Sequence, residues 1–451
     1  MLKLLARVAV DITPMRESRD FRLVALGELV SSLGTQAALV ALPFQIFVLS
    51  RSATLVGLLG AFELGPMIVV SLLGGALADR FDRRMLLAGA QLGVITLSGA
   101  LGAATLEGHP PVFAVLSLGG LLAGAAALDN VARSAIIPNA LRRERLAAGL
   151  AFNYGLAQVA GILGPALGGV LIAAAGPASA YLVNAGSCIA VLAAALMISP
   201  QRPSSQERPP PVLRAIIEGL RFVESNRAIA GSFVIDLIAM TFGMPRALFA
   251  VLSLTVYHAG ASGTGLLYAG VAAGGALAVL SSGWVGHARR LGRVVIAMVL
   301  AWGAAIAAAG LMRSLWPAIA LLTVAGYADG VSAFCRSTIN QTLTPDRLRG
   351  RMSAVYSLVV TSGPRLGDIE SGLVAGLSSA LVSVISGGLA CIAGVGVVVL
   401  AFPQLAAYDA RRIEQGVQVP SQPGQGEARS ALECERPTMR PAEPGCAPAS
   451  D

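Results

Sequence analysis

Along this chain, long apolar runs alternate with short polar links. Twelve runs fall at about 21–49, 54–78, 85–106, 112–133, 148–174, 178–199, 229–256, 264–286, 294–312, 317–337, 352–377 and 380–402. Each is close to the roughly 20 residues that an α-helix needs to cross a bilayer's hydrocarbon layer. The pattern predicts an all-α membrane protein with twelve transmembrane helices.

The links alternate in charge. Arg80, Arg83 and Arg84 follow the second run, and Arg142, Arg143 and Arg145 follow the fourth. The long link after the sixth carries Arg202, Arg208, Arg214, Arg221 and Arg227. Arg289, Arg290 and Arg293 follow the eighth run, and Arg347, Arg349 and Arg351 the tenth. The odd-numbered runs are followed by at most one arginine, Arg51 or Arg313. Every cluster therefore lies on one side, which the positive-inside rule makes the cytoplasm, with both termini there.

Five segments follow from this register. Residues 1–20 are a cytoplasmic lead without a signal-peptide pattern, and 21–199 form a first six-helix half. Residues 200–228 form a cytoplasmic linker, in which Val212, Ile216, Leu220 and Val223 recur at helical spacing. Residues 229–402 form the second half, and 403–451 are a polar tail whose composition predicts disorder. The halves echo each other weakly. GGALADRFDRR after the second run stands opposite GWVGHARRLGR after the eighth, and Asp129 and Arg133 opposite Asp329 and Arg336. Two pseudo-symmetric six-helix halves with substrate bound between them at midplane are the expected construction.

Composition sharpens the picture. The chain is 55% hydrophobic and 13% charged, with a mean hydropathy of +0.72. Its net charge of +8 sits in the short links and not on one polar face, which excludes a nucleic-acid-binding reading. The five cysteines fit neither a zinc site nor a redox pair, and no GxxxxGK[ST] loop is present, so no cofactor or direct use of ATP is expected.

An ionisable group inside a membrane span is costly and is a functional candidate by default. Glu28 lies about two turns into the first span, followed by Gln36 and Gln45, and Glu63 lies near the middle of the second. A carboxyl taken out of water holds its proton more readily, so Glu28, Glu63 and Asp368 are the proton-coupling candidates. A structural ion pair is the plainer reading of each. Asp129 and Arg133 share a helix face and can pair; a contact of Arg133 with Asp79 would lock one state. Asp236 lies early in the seventh span, and Arg246 sits deeper, beside a helix break at Met244 and Pro245. Arg246 can anchor an anionic group or neutralise an acid. The eleventh span contains GPRLGDIESG, with Arg365, Asp368 and Glu370, where Arg365 and Asp368 can pair. Gln36, Asp236, Arg246, Asp329, Arg336, Arg365 and Glu370 are the substrate-cavity candidates.

The stretch Gly74–Arg84 resembles the loop between the second and third helices of the major facilitator superfamily, G-x-L-A-D-R-x-G-R-[RK]. Gly75, Leu77, Ala78, Asp79, Arg80, Arg83 and Arg84 match, and Asp82 stands where the second glycine would be. With Asp129 and Arg133 this loop forms the candidate gate. In the fifth span, Gly164, Pro165, Gly168 and Gly169 match the GP-x-x-GG core carried by exporters of that superfamily, which the resemblance links to antiport. Generic small-residue packing also accounts for them. More closely, residues 20–402 resemble the enterobactin-exporter branch, which includes macrolide-efflux-like members. The resemblance rests on SSLGTQAALVALPFQIFVL, GGALADRFDRR, RSAIIP, LRRERL and TPDRLRGRMSAVYSLV. It implies a monomeric exporter in the cytoplasmic membrane that moves a small organic molecule, a siderophore or a hydrophobic drug-like compound, against protons. An importer or lipid flippase on the same fold, and a non-transporting receptor or scaffold, are the alternatives; an enzyme is not expected.

Overall fold

The computed structural model describes residues 13–200, 212–345 and 348–409, without the side chains of Leu72, Ala76, Asp79, Arg143, Val212, Leu213, Ala215, Gly286 and His287. The 403–451 tail beyond residue 409 and the first twelve residues of the lead lie outside the described residues. So does most of the proline-rich part of the linker. The architecture is all-helical.

After a short helix at Thr13–Glu17, the first six long helices are α1 (Arg19–Ser50), α2 (Ala53–Arg80), α3 (Arg83–Leu106), α4 (Val112–Ala140), α5 (Leu146–Ala175) and α6 (Pro177–Met197). The linker helix α7 spans Val212–Ser225. Then come α8 (Arg227–Phe242), α9 (Leu248–Thr255), α10 (Gly260–Ser281), α11 (Leu291–Leu311), α12 (Leu315–Leu343), α13 (Arg349–Leu377) and α14 (Ala380–Ala401). Side-chain oxygens at the N-caps Ser18, Ser52, Asp82, Asn226 and Ser379 accept backbone N–H bonds that the first turns cannot make internally. Asp82, where the family motif has glycine, has φ −58° and caps α3. The turn therefore needs no left-handed residue.

Ten of these helices are long and apolar enough to cross a membrane. The other two expected spans depart for physical reasons. The seventh is not one helix but two, α8 and α9, interrupted at 243–247, where Pro245 lacks an N–H and crowds the preceding turn. The eleventh, α13, is a continuous 29-residue helix through Pro364 whose centre carries Arg365, Asp368 and Glu370. Apolar side chains at the rim are strongly exposed, with Leu377 at 90% and Leu400 at 84%, as expected where lipid replaces water.

The packing repeats. In the first half α1 packs on α5 and α6, α3 on α4 and α6, and α2 on α4. In the second, the broken span packs on α13 and α14, α11 on α12 and α14, and α10 on α12. This is the same set of partners shifted by six spans, and it defines two pseudo-symmetric halves. The halves meet mainly through α2 against α13 and α5 against α10. Their closest approaches lie away from the arginine-rich links, on what we call the far face. A Cβ on Gly372 would come within 2.5 Å of the Gly57 Cα, and one on Gly265 would collide with the Pro165 carbonyl oxygen. Backbone touches backbone there, which only glycine allows.

The linker helix α7 lies against α13 and α2. Glu218 pairs with Arg351 at 2.8 Å, and Gly219 seats against the Arg351 backbone and Val355. Ile216 is buried, but Leu220, expected on the same apolar face, is 47% exposed. The α13 contact takes up only part of the stripe.

Gly372→Val should force α2 and α13 apart at the far face. In a background without native cysteines, we expect Thr54→Cys, whose position faces Gly376, to react several-fold faster with a membrane-impermeant maleimide when Gly372→Val is added. An unchanged rate would mean that the glycine contact does not hold this face shut.

Candidate functional site

Each half buries one arginine between two carboxylates. In the first half Glu28 lies nine residues into α1, and Arg133 seven residues before the end of α4. The Arg133 guanidinium meets Glu28 Oε1 at 2.7 Å and also pairs with Asp129, one turn back on its own helix. Gln91 of α3 donates to Asp129 Oδ1 at 2.6 Å. In the second half Asp236 lies nine residues into α8, and Arg336 seven before the end of α12. Arg336 lies 2.8 Å from Asp236 and 3.9 Å from Asp329. The Asp329 contact is thus the longer of the two. Seven residues is two turns, and Asp236 on the facing helix is nearer.

These groups explain one another. A buried charge is tolerated only when it is paired and hydrogen-bonded. Arg336 and Asp236 are 2% and 1% exposed, and Glu28 and Arg133 are 7% and 8%. Asp236 is therefore spent on Arg336 rather than free in a cavity.

A third charged group joins the halves nearer the far face. Glu63 of α2 accepts from Arg365 Nε of α13 at 3.1 Å. The expected pairing of Arg365 with Asp368 gives way to this bond, because Asp368 is engaged at the break in the seventh span. There Asp368 Oδ1 accepts from the Ala247 N–H at 3.0 Å, capping α9. Tyr268 donates to the Arg246 carbonyl at 2.9 Å, and Trp302 Nε1 to the Gly243 carbonyl at 2.8 Å. Backbone groups freed by the break thus find side-chain partners, as irregular backbone at membrane depth requires. Arg246 lines the same small space as Glu63, Arg365 and Asp368, a cavity of about 30 Å³.

Two larger cavities lie toward the arginine-rich face. One, of about 230 Å³, sits within the first half and is bordered by Glu28, Thr35, Gln36, Gln91, Asp129 and Arg133. The other, of about 380 Å³, lies among α8, α12 and α13 beside Asn340, Gln341 and Tyr356.

The remaining candidates sort by geometry. Two of the loop arginines hold backbone carbonyls, Arg83 donating to Ala135 at 3.2 Å and Arg84 to Ile198 at 3.3 Å, while Arg80 is exposed. The Asp79 side chain lies outside the described ones, and with it the expected Arg133–Asp79 contact. Gly75 lies within α2. In α5, a Cβ on Gly164 would meet Gln36, one on Gly168 the Ala37 backbone, and one on Gly169 the Ala261 carbonyl. With Pro165 they let α5 wedge between α1 and α10, a packing role. Glu370 does not join the cavity. Two residues beyond Asp368, it lies about 200° further round the helix, on the stripe of Leu366, Leu373 and Leu377 that is exposed at the rim. Gln91, Tyr268 and Trp302 were not singled out from sequence. A lone amide in an apolar span would have revealed Gln91, whereas the two aromatics are ordinary span residues until the break is seen.

Two similarly packed helical halves, buried charges within them and no soluble domain among the described residues are the architecture of a membrane transporter. A sequence profile described as transmembrane secretion effector matches residues 9–426, and the chain belongs to that family of the major facilitator superfamily. A relative called Enterobactin exporter EntS, from Citrobacter koseri, is 29% identical over 416 residues, 91% of this chain and 97% of that protein. One of the same name from Shigella boydii is 28% identical over 84% of this chain and 89% of its own. Among solved structures, a bacterial homologue of the human lysosomal transporter Spinster superposes with a TM-score of 0.66 at 16% identity. It covers 90% of this chain and 100% of that one. A POT family transporter in complex with 5-aminolevulinic acid gives 0.70 at 11% identity over 86% and 97%. These two share the fold.

Arg336→Met should leave Asp236 buried without a counter-charge and lower stability by about 3–5 kcal/mol. We expect Asp236→Asn combined with Arg336→Met to recover most of that loss, measured by thermal unfolding in detergent. A double variant no better than the single one would show that the pair does not account for the burial of either group.

Proposed function

We propose that this transporter is a secondary active exporter of a small organic molecule, a siderophore or a drug-like compound, across the cytoplasmic membrane. It works by alternating access and exchanges its substrate for protons. The arginine-rich face is cytoplasmic, by the distribution of arginines in its links. The halves are in backbone contact at the opposite face, and the larger cavities lie toward the cytoplasm, so this conformation opens inward. The names of the relatives support export and the siderophore class.

The observation that carries the coupling is the Glu63–Arg365 bond between the halves, at 3.1 Å. Opening the far face draws α2 from α13 and breaks it. Glu63 then loses its counter-charge in a low-dielectric setting and is stabilised by taking a proton from outside. When the face closes, Arg365 returns and the neutral form loses its advantage, so the proton leaves. Asp368 stays on the Ala247 amide and offsets one of the two arginines, Arg246 and Arg365, that share its space. Glu28 and Asp129 remain with Arg133, away from this contact.

The test is proton movement in liposomes holding an internal pH dye, with an imposed gradient and added siderophores or cationic drugs. Wild type should dissipate the gradient when substrate is present. Glu63→Gln should lose at least ten-fold of that flux while still binding substrate. Substrate crossing without proton movement would remove the antiport mechanism and favour uniport or lipid movement on the same fold.

A further inference from the structure

The two halves differ at a place where their symmetry should make them alike. The shift along the chain that carries Arg133 onto Arg336 also carries Gly169 onto Gly372, and each of these glycines touches the opposite half. The same shift carries Ile137, Pro138, Leu141, Leu146 and Leu150 onto Asn340, Gln341, Thr344, Arg349 and Ser353. All five positions are apolar in the first half and polar in the second. In the first half they close a core. Ile137 is 4% exposed and packs with Phe21 and Ala25. Leu141 covers this cluster and sits so close to Gly149 that a Cβ there would collide with it. In the second half Ile229, Phe233, Met352 and Val355 form the matching core, but the cavity of about 380 Å³ stays open between α12 and α13. Depth in the membrane does not account for the change, because matching positions of the two halves lie at the same level.

The polar groups that face this cavity are mostly donors. Asn340 Oδ1 accepts from Ser232 at 2.8 Å, which leaves the amide nitrogen. The Gln341 nitrogen donates to Ser337 at 3.2 Å, which leaves the oxygen. The Ser353 and Tyr356 hydroxyls line the cavity and are not closed off within the core. Arg349 is exposed in the same wall, one turn before Ser353 on the same face of α13. No acid lines the cavity among the described residues. Asp236 and Asp329, within electrostatic reach of Tyr356, are held by Arg336. The remaining wall is apolar: the Phe233 ring meets Tyr356 edge-on at 6.4 Å, and Met352 packs in the same cluster.

From this arrangement we infer that the cavity binds a small organic anion that arrives from the arginine-rich side. Its carboxylate takes the Arg349 guanidinium and the Ser353 hydroxyl. Its apolar body lies against Phe233 and Met352, where the Asn340 nitrogen and the Tyr356 hydroxyl can hold a further oxygen. Bonds from a guanidinium to a carboxylate are charge-assisted and about twice as strong as neutral ones. An ammonium would meet a like charge and, hydroxyls apart, the single unspent acceptor of Gln341. Size agrees, since pockets of roughly 300–1,000 Å³ hold small molecules. The inference deepens the exporter reading and rests on it only in taking this anion to be the molecule loaded for export.

The test is calorimetric titration of purified full-length protein in nanodiscs at pH 7, which involves no turnover. The probes are 3-phenylpropanoate, its neutral amide, and 3-phenylpropylamine, which is protonated at this pH. The carboxylate should bind at least ten-fold more tightly than either of the others. Asn340→Ile combined with Thr344→Leu puts the first half's residues into the second, so it fills the cavity with groups that the matching core already accommodates. This variant should lose at least ten-fold in carboxylate affinity without unfolding at a lower temperature. Arg349→Gln, at an exposed residue, should bring the carboxylate down to the affinity of the amide, so a packing fault in the filled variant cannot mimic the whole pattern. Equal binding of carboxylate and amide by wild type, tighter binding of the amine, or full carboxylate affinity in both variants would overturn the inference. If the carboxylate preference is absent while a substrate still drives proton flux in liposomes, this inference fails and the exporter reading stands. Undiminished substrate flux in the filled variant would overturn the link to loading. A carboxylate site in a protein that moves no protons would leave the inference standing and remove the antiport.

Discussion

The need to pair the charges buried between helices governs this structure. Arginines on α4 and α12 and carboxylates on α1 and α8 would each be prohibitive alone, and together they fix which helices must face which. Arg133 ties α4 to α1, and Arg336 ties α12 to α8. Apolar contacts fill the space around these ties. They cannot set register on their own, because lipid tails are as apolar as the leucines they would replace.

The same constraint separates structural from working charges. Asp236 and Arg336 satisfy each other within one half and stay buried whatever the halves do. Glu63 and Arg365 satisfy each other across the boundary between the halves, and in the proposed cycle they do so only while the far face is shut. In that cycle, an ion pair that spans the boundary between the halves would store the state of the transporter in its own geometry, whereas one inside a single half would not. Asp368 stands between these classes: it is on the moving helix, but its acceptor is committed to the break in the seventh span.

Much of this was legible in the residues. The apolar runs, the alternating arginines and the loop Gly74–Arg84 led to the fold, because bilayer thickness and charge translocation leave strong marks on composition. The acids and arginines of the site were visible as exceptions within apolar runs. Their partners were not. Spacing suggested Arg365 with Asp368 and Asp129 with Arg133, but only the second held, because local spacing cannot weigh a nearer group on another helix. Glu370 looked like its neighbour Asp368 until the helix was seen to turn it toward the rim. Tyr268 and Trp302 acquire a role only from carbonyls that a proline-broken helix leaves free, which no periodicity records.

The contact between Gly57 and Gly372 has a mechanical consequence. Side chains can cushion a relative motion by changing rotamer, but two bare backbones have nothing to yield. They act as a bearing surface, and the two helices can only roll or part there. Arg365 lies two turns along the same rigid helix from Gly372, so a small tilt at the bearing becomes a lever-arm displacement at its guanidinium. A bond of 3.1 Å has little slack for such a displacement. Under the proposed alternating access, this geometry would turn a gradual rocking of two bodies into a nearly all-or-none electrical event.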